Sequence, residues 1–235
     1  MKHLILVPGL LCDAKVWQLQ IDALSDIATI QVCEHGTQDS LPGMARTILE
    51  SAPPRFALAG HSMGGRIAVE VMRIAPERVT ALGLFDTGTH PLAPGAEGEK
   101  EAAGRHELLS IARRDGMRAM GRKWIQGMVH PSRLADTALI DAVLGMFDTR
   151  SPEIFAAQIR ALLTRPDGGN VLPTVSCPTL LLCGHEDAWS PPQRHRDMAA
   201  KIADSVLVDI PECGHMSTME RPAAVNEAMR AWLRA

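Results

Sequence analysis

The run Phe56-Ala57-Leu58-Ala59 leads directly into Gly60-His61-Ser62-Met63-Gly64, and that into Arg66-Ile67-Ala68-Val69-Glu70-Val71-Met72. The first piece is short and apolar, as a buried strand is, and the last repeats its apolar residues at helical spacing. A strand that becomes a helix within one turn strains the residue at the corner and brings neighbouring main chain into contact. Only residues without Cβ tolerate that approach, which explains the glycines flanking Ser62. The corner lifts the Ser62 hydroxyl clear of the sheet. It also sets the Met63 amide at a helix N-terminus, where an unpaired N–H and the positive end of the helix dipole favour an oxyanion. Ser62 is the candidate nucleophile; the plainer reading is a tight turn with an N-capping serine.

A serine hydroxyl needs a base within hydrogen-bond reach, and the base needs an acid to fix its tautomer. Strand ends supply both. Pro178-Thr179-Leu180-Leu181-Leu182-Cys183 is a continuous apolar run suited to a strand buried on both faces, and it breaks into Gly184-His185-Glu186-Asp187. Ser205-Val206-Leu207-Val208-Asp209-Ile210 is a further strand, ending in Pro211-Glu212-Cys213-Gly214-His215. In an open parallel sheet the ligand crevice lies beyond the carboxyl ends of the strands, so Ser62, Asp187 and His215 can converge despite their separation in sequence. Glu186 and Asp86, the latter ending an earlier strand, compete with Asp187 for the acid's place. His61 should turn away from the Ser62 hydroxyl, and His185 should be exposed.

The chain resembles the α/β-hydrolase-fold enzymes over essentially its whole length. The likeness rests on the Gly60 to Gly64 elbow, the Gly184-x-x-Asp187 loop, the Gly214-His215 loop and an N-terminal strand ending in Val7-Pro8-Gly9-Leu10, all in the family's order. It implies an α/β fold, a mainly parallel sheet flanked by helices, with a helical cap insertion. It also implies that the loop after the first strand supplies a second oxyanion amide, Leu10, beside Met63. Where the family usually has His-Gly this chain has Pro8-Gly9, so that histidine's contacts are lost. The sequence starts almost at this strand, and a trimmed sheet is expected.

Composition fits one α/β domain. The 235 residues are 46% hydrophobic and 22% charged, near globular averages, and can bury a large core. A net charge of −3 gives no electrostatic footprint for nucleic acid. No apolar stretch reaches the ~18 residues that span a membrane, and Met1 to Val7 runs into Pro8-Gly9 rather than a cleavage site, so a cytoplasmic protein is expected. Five cysteines, Cys12, Cys33, Cys177, Cys183 and Cys213, show no metal-type pairing and read as reduced, mostly buried thiols.

Apolar runs at His3 to Val7, Ala28 to Cys33, Phe56 to Ala59, Val79 to Phe85, Pro178 to Cys183 and Ser205 to Ile210 alternate with helical patterns. Val16, Leu19 and Ala23 predict one buried face, Met44, Ile48 and Leu49 a second, and Ile67, Val71 and Ile74 a third. From about Thr87 to Arg165 no strand candidate appears. The division expected is a hydrolase core of 1–86 and 169–235 with a helical cap insertion of 87–168. Within the cap, Met117, Met120, Trp124 and Met128 form a helical stripe whose two readings are cap core and substrate contact. Trp124 and Met120 are carried forward as substrate-binding candidates, together with Trp189 beside the acid loop. Arg114, Arg118 and Arg122 share a helical face; by default this is a solvated face, and the sharper reading is recognition of a substrate carboxylate or an acidic carrier protein.

The function expected is a serine hydrolase acting on a small carboxylic ester, with Ser62, Asp187 and His215 catalytic and no metal or organic cofactor required. The alternatives are cleavage of a carbon-carbon bond, thioester or amide, or lyase chemistry, by the same three residues. A further alternative, of another class, is a non-catalytic ligand-binding protein on the same scaffold.

Overall fold

Every apolar run named above forms a strand in the computed structural model, which describes residues 1–235: β1 (Lys2–Val7), β2 (Ala28–Val32), β3 (Phe56–His61), β4 (Val79–Phe85), β5 (Thr179–Gly184) and β6 (Ser205–Ile210). They make one sheet in the order β2-β1-β3-β4-β5-β6, parallel at every pairing. Ile5 stands opposite Leu58, Leu58 opposite Leu82, and Leu82 opposite Thr179. Strands β3 and β5 are buried at every position, which is why they read as unbroken apolar runs. The edges β2 and β6 are only partly covered, and Val206 is 63% exposed.

Strand order reverses between β1 and β3: β2 lies on one side of β1, while all later strands lie on the other. At such a switch point the loops leaving the two strands part and open a crevice. The loop after β1 and the elbow after β3 meet there.

The helices are α1 (Gln18–Leu24), α2 (Leu41–Ser51), α3 (Met63–Ile74), α4 (Ala96–Asp115), α5 (Met117–Trp124), α6 (Thr137–Asp148), α7 (Pro152–Leu163), α8 (Pro192–Ala199), α9 (Ser217–Glu220) and α10 (Pro222–Arg234). Met44 and Ile48 of α2 and Ile67 and Val71 of α3 are buried, as their spacing predicts. Two expectations fail locally. Leu19 is 45% exposed, because a 3-10 turn at Ala14–Trp17 precedes α1 and shifts its phase, so that Gln20 and Leu24 face inward. Ile74, the last residue of α3, is also largely exposed.

Between β4 and β5 the chain forms four helices, α4 to α7, and no strand. The outgoing and returning segments meet where the Gly168 amide donates to the Thr89 carbonyl at 2.8 Å. One cluster of 63 buried apolar residues runs from Leu58 and Leu82 in the sheet to Val143, Phe147 and Phe155 in these helices. No helix is long and apolar enough to cross a membrane.

Candidate active site

Ser62 adopts φ 56° and ψ −116°, a region that residues with a Cβ rarely occupy. Its amide donates to the Phe85 carbonyl at 2.8 Å and so stays tied to β4. The flanking glycines are sterically obligatory. A Cβ on Gly60 would lie 2.2 Å from the Gly64 carbonyl oxygen, and one on Gly64 would lie 2.0 Å from that of Val7. Strand, corner, helix and the end of β1 are thus packed main chain on main chain.

His215 Nε2 lies 2.8 Å from Ser62 Oγ, and His215 Nδ1 lies 2.8 Å from Asp187 Oδ2. The other oxygen of Asp187 accepts the amides of Trp189 and Ser190, each at 2.9 Å. Burial alone would raise the Asp187 carboxyl, but the His215 ring, its hydrogen bond and the two amides outweigh it and hold the group below the usual carboxylate range. Burial likewise disfavours a charged His215. The carboxylate of Asp187 overrides it, leaving the imidazole above its ordinary value of 6.5. This arrangement fixes the proton on Nδ1 and turns a basic Nε2 toward the hydroxyl.

The competing acids have other work. Asp86, fully buried with φ 46°, accepts from the Gly184 amide at 3.0 Å and from the Ser217 hydroxyl; burial, then the nearby Asp187, pushes its carboxyl well up. Glu186 accepts the Cys213 amide at 3.0 Å, which joins the loop after β5 to the loop after β6. The same two loops touch through glycine, since a Cβ on Gly184 would lie 2.0 Å from the Gly214 oxygen. His61 turns away from the hydroxyl, as expected: its Nε2 donates to the His215 carbonyl at 2.8 Å, and burial, then His215, pushes its ring down to about 3. His185 is exposed and paired with Asp209.

Met63 is the first residue of α3, and the Leu10 amide donates to no group of the chain. Both residues line the hollow that contains Ser62 and His215, about 1200 Å³ in volume. The loop carrying Leu10 is held by a contact that sequence gave no means of finding. Leu11 sits at φ 61°, and its amide donates to Gln158 Oε1 of α7 at 2.8 Å. Glu220 of α9 was equally invisible. Its carboxylate accepts the amides of Gly214 and Met216, on either side of His215, at 3.1 Å each, and that of His130 at 2.8 Å. No motif marks either residue, because each acts through a contact made far away in sequence.

Trp189 walls the site, its ring 4.9 Å from that of His215 and stacked at 5.3 Å on Trp124, and both tryptophans line the hollow. Met120 does not. It is fully buried and absent from the lining, so the methionine stripe divides: Met117 and Met120 point into the core, Trp124 and Met128 toward the hollow. The physical reason is that α5 is packed on two sides, which splits a stripe that spacing alone leaves whole. The arginine row also lies outside. Arg114 pairs with Asp115, Arg118 pairs with Asp141 and Asp148, and none of the row lines the hollow. All five cysteines are free and buried; Cys12 lines the hollow, but burial, then Asp13, pushes its thiol up to about 12, which leaves it un-ionised.

Comparison with known proteins fits this geometry. The model of the alpha/beta hydrolase family matches residues 4–228. The 2-succinyl-6-hydroxy-2,4-cyclohexadiene-1-carboxylate synthase of Salmonella arizonae is 26% identical over 252 residues, covering 100% of this chain and 94% of that protein. The dihydrolipoyllysine-residue acetyltransferase component of the acetoin cleaving system of Pseudomonas putida is 27% identical over 97% of this chain, which spans only 58% of that longer protein. Among solved structures, a thermophilic esterase from Thermogutta terrifontis, with malate bound, superposes with a TM-score of 0.87 at 29% identity, covering 100% of this chain and 90% of that one.

Proposed function

Because the chain belongs to the alpha/beta hydrolase family and is an enzyme of that class, we propose that it is a serine hydrolase cleaving a small carboxylic ester through an acyl-enzyme on Ser62. The observation that carries this reading is the unbroken hydrogen-bonded chain from Ser62 Oγ through His215 to Asp187, with 2.8 Å at each step. His215 Nε2 takes the hydroxyl proton as Ser62 Oγ attacks the carbonyl carbon. The amides of Leu10 and Met63 receive the negative charge on the carbonyl oxygen, and Asp187 stabilises the imidazolium. When the tetrahedral intermediate collapses, His215 returns the proton to the departing alcohol. Water, activated by the same imidazole, then releases the acid and frees Ser62.

In this reading segment 87–168 acts as a cap over a core of 1–86 and 169–235. The side chains of Trp124, Phe155 and Leu162 support it, since they line the same hollow as Ser62. A cover of that kind excludes water from the oxyanion and shapes the acyl and alcohol pockets.

A second reading, lyase-type chemistry with Ser62 as a base and no acyl-enzyme, draws on the similarity to the Salmonella synthase. Two measurements separate them. A fluorophosphonate probe should label Ser62 in either case, but only the ester hydrolase should give a burst of 4-nitrophenol and an acyl adduct by mass spectrometry. Ser62→Ala should lower kcat by about 10⁴-fold or more with the fold intact, because loss of the nucleophile leaves only oxyanion stabilisation and binding. Undiminished ester turnover by that variant would end the covalent reading.

A further inference from the structure

Although the whole chain carries a net charge of −3, the hollow beside Ser62 is lined by five cationic side chains, Arg66, Lys100, Arg105, Arg165 and Arg194, against two carboxylates, Glu97 and Glu101. The internal pairing is uneven. Glu101 is taken by two guanidiniums at once, with Arg165 Nη1 and Nη2 at 2.8 Å and Arg105 Nη2 at 2.9 Å. Arg66 and Arg194 have no carboxylate partner. Each is half-buried and donates to a single main-chain carbonyl: Arg66 Nη1 to His90 at 2.8 Å, Arg194 Nη1 to Trp189 at 3.0 Å. Most of the five N–H donors of each guanidinium are left over.

These two side chains approach one point. A Cβ placed on Gly88 would lie 3.5 Å from Arg66 Nη2 and 3.9 Å from Arg194 Nη1, so both guanidiniums border the same small space and one carboxylate can accept from both. Both side chains line the hollow that holds the reacting serine. Arg66 lies one helical turn beyond Ser62 on α3, and Thr87, next to Gly88, donates its hydroxyl to the Ser62 carbonyl at 2.6 Å. Burial, then Arg165, Arg194 and Arg105, pushes the Arg66 guanidinium down to about 9 against the opposing pull of Glu101, the sense expected where cations outnumber carboxylates. Unpaired half-buried charge is costly, and an anionic ligand is what relieves it.

Building on the acyl-enzyme reading, we propose that the substrate carries a carboxylate, bound between Arg66 and Arg194, which sets the scissile carbonyl over Ser62. The enzyme would then be a hydrolase of anionic esters, the half-esters of dicarboxylic acids or the esters of hydroxy acids. This places substrate recognition inside the hollow and not on the exposed row Arg114, Arg118 and Arg122.

Two matched pairs of substrates test it: mono-4-nitrophenyl glutarate against 4-nitrophenyl hexanoate, with the charge on the acyl side, and 4-acetoxybenzoate against 4-tolyl acetate, with the charge on the alcohol side. In one pair or the other the anion should win in kcat/KM by about 10- to 100-fold, the range of charge-assisted hydrogen bonds. Arg66→Met with Arg194→Met should bring that ratio near one, while Arg114→Met, a loss of positive charge outside the hollow, should leave it in place. Calorimetry separates this from the chemistry: glutarate should bind the Ser62→Ala variant and fail to bind once Arg66→Met and Arg194→Met are added, with thermal melts confirming that each variant folds. A protein that gives the acyl adduct on Ser62 yet prefers the anion in neither pair would overturn the proposal and spare the acyl-enzyme. So would an equal fall of the ratio in Arg114→Met. Glutarate binding with no acyl adduct would do the reverse, sustaining the anion site and sinking the acyl-enzyme.

Discussion

The strand ends that border the hollow, its floor, and the helices α4 to α7 that line it from another side, its roof, are held together differently. On the floor, main chain touches main chain: Gly64 against Val7, Gly60 against Gly64, Gly184 against Gly214. There is no room for one methyl group, so the ends of β1, β3, β5 and β6 cannot shift independently, and Ser62, Asp187 and His215 are carried on a rigid frame. On the roof, helices α4 to α7 meet the hollow with side chains, Trp124 and Phe155 among them, and although Gly98 and Gly121 are closely packed, a Cβ at Gly104 or Gly145 would meet no atom within 4 Å. Chemistry needs fixed distances, and the floor supplies them. A pocket needs an adjustable shape, which packed side chains allow.

The contrast is open to direct attack. The largest effect should follow Gly64→Ala, which drives a methyl group into the Val7 carbonyl. We expect about 3 kcal/mol of lost stability, the upper end for overpacking, and loss of most ester turnover as Ser62 shifts from His215. On the roof the same change should act in the opposite sense. Gly145→Ala inside α6 should stabilise by about 0.5–1 kcal/mol through helix propensity, with turnover unchanged. Denaturant titration of both variants measures the difference; equal responses would dissolve the distinction.

A smaller effect should come from one of the places where roof grips floor. Gln158→Leu leaves the Leu11 amide without its acceptor, and the loop bearing Leu10 loses its tether to α7. Kcat should fall about 10-fold, less than the 10²- to 10³-fold loss of an oxyanion donor, with KM nearly unchanged. Gln158→Glu, which keeps an acceptor oxygen, should recover part of it. A rise in KM alone would make Gln158 a pocket residue rather than a positioning one.

The smallest effects concern pH. His215 must be neutral to accept the Ser62 proton, and its value lies above 6.5, so kcat/KM should fall as pH drops through a midpoint on the alkaline side of 6.5. Stability should fall with pH in the same sense, through buried histidines whose own shift is downward. His61 and His195 are held neutral, down to about 3 and about 4, both chiefly by burial. Below pH 6.5 the unfolded chain takes up protons that the folded one refuses. The stability these residues contribute is therefore complete above 6.5 and is lost as pH falls, by about 1.4 kcal/mol per pH unit for each. Denaturation midpoints from pH 7 to 4 should drop less steeply in His61→Asn, and an unchanged slope would refute the assignment.

The floor was legible in the sequence because its constraints act through residue type at short range. A glycine that must lack a Cβ cannot be replaced, so Gly60, Gly64 and Gly184 announce themselves. Strands buried on both faces must be apolar throughout, so β3 and β5 do too. The roof was legible only as a helical stretch. Met120 and Trp124 belong to one stripe, and which of them faces the hollow depends on how α5 is rotated against its neighbours. The arginines divide in the same way. Arg114, Arg118 and Arg122 share the solvated face that their regular spacing gave, while Arg66 and Arg194, far apart in sequence, come near each other beside Gly88 only in the folded chain.

What the sequence by itself determined was the alternation of strand and helix and the identity of the serine, histidine and aspartate at three strand ends, because burial and steric exclusion act on each residue where it stands. Tertiary structure alone decided the rest: which glutamate braces the loop of His215, which glutamine holds the loop of Leu10, and where positive charge is left unpaired. Those depend on distances between segments far apart in the chain, and such distances exist only once the segments have packed.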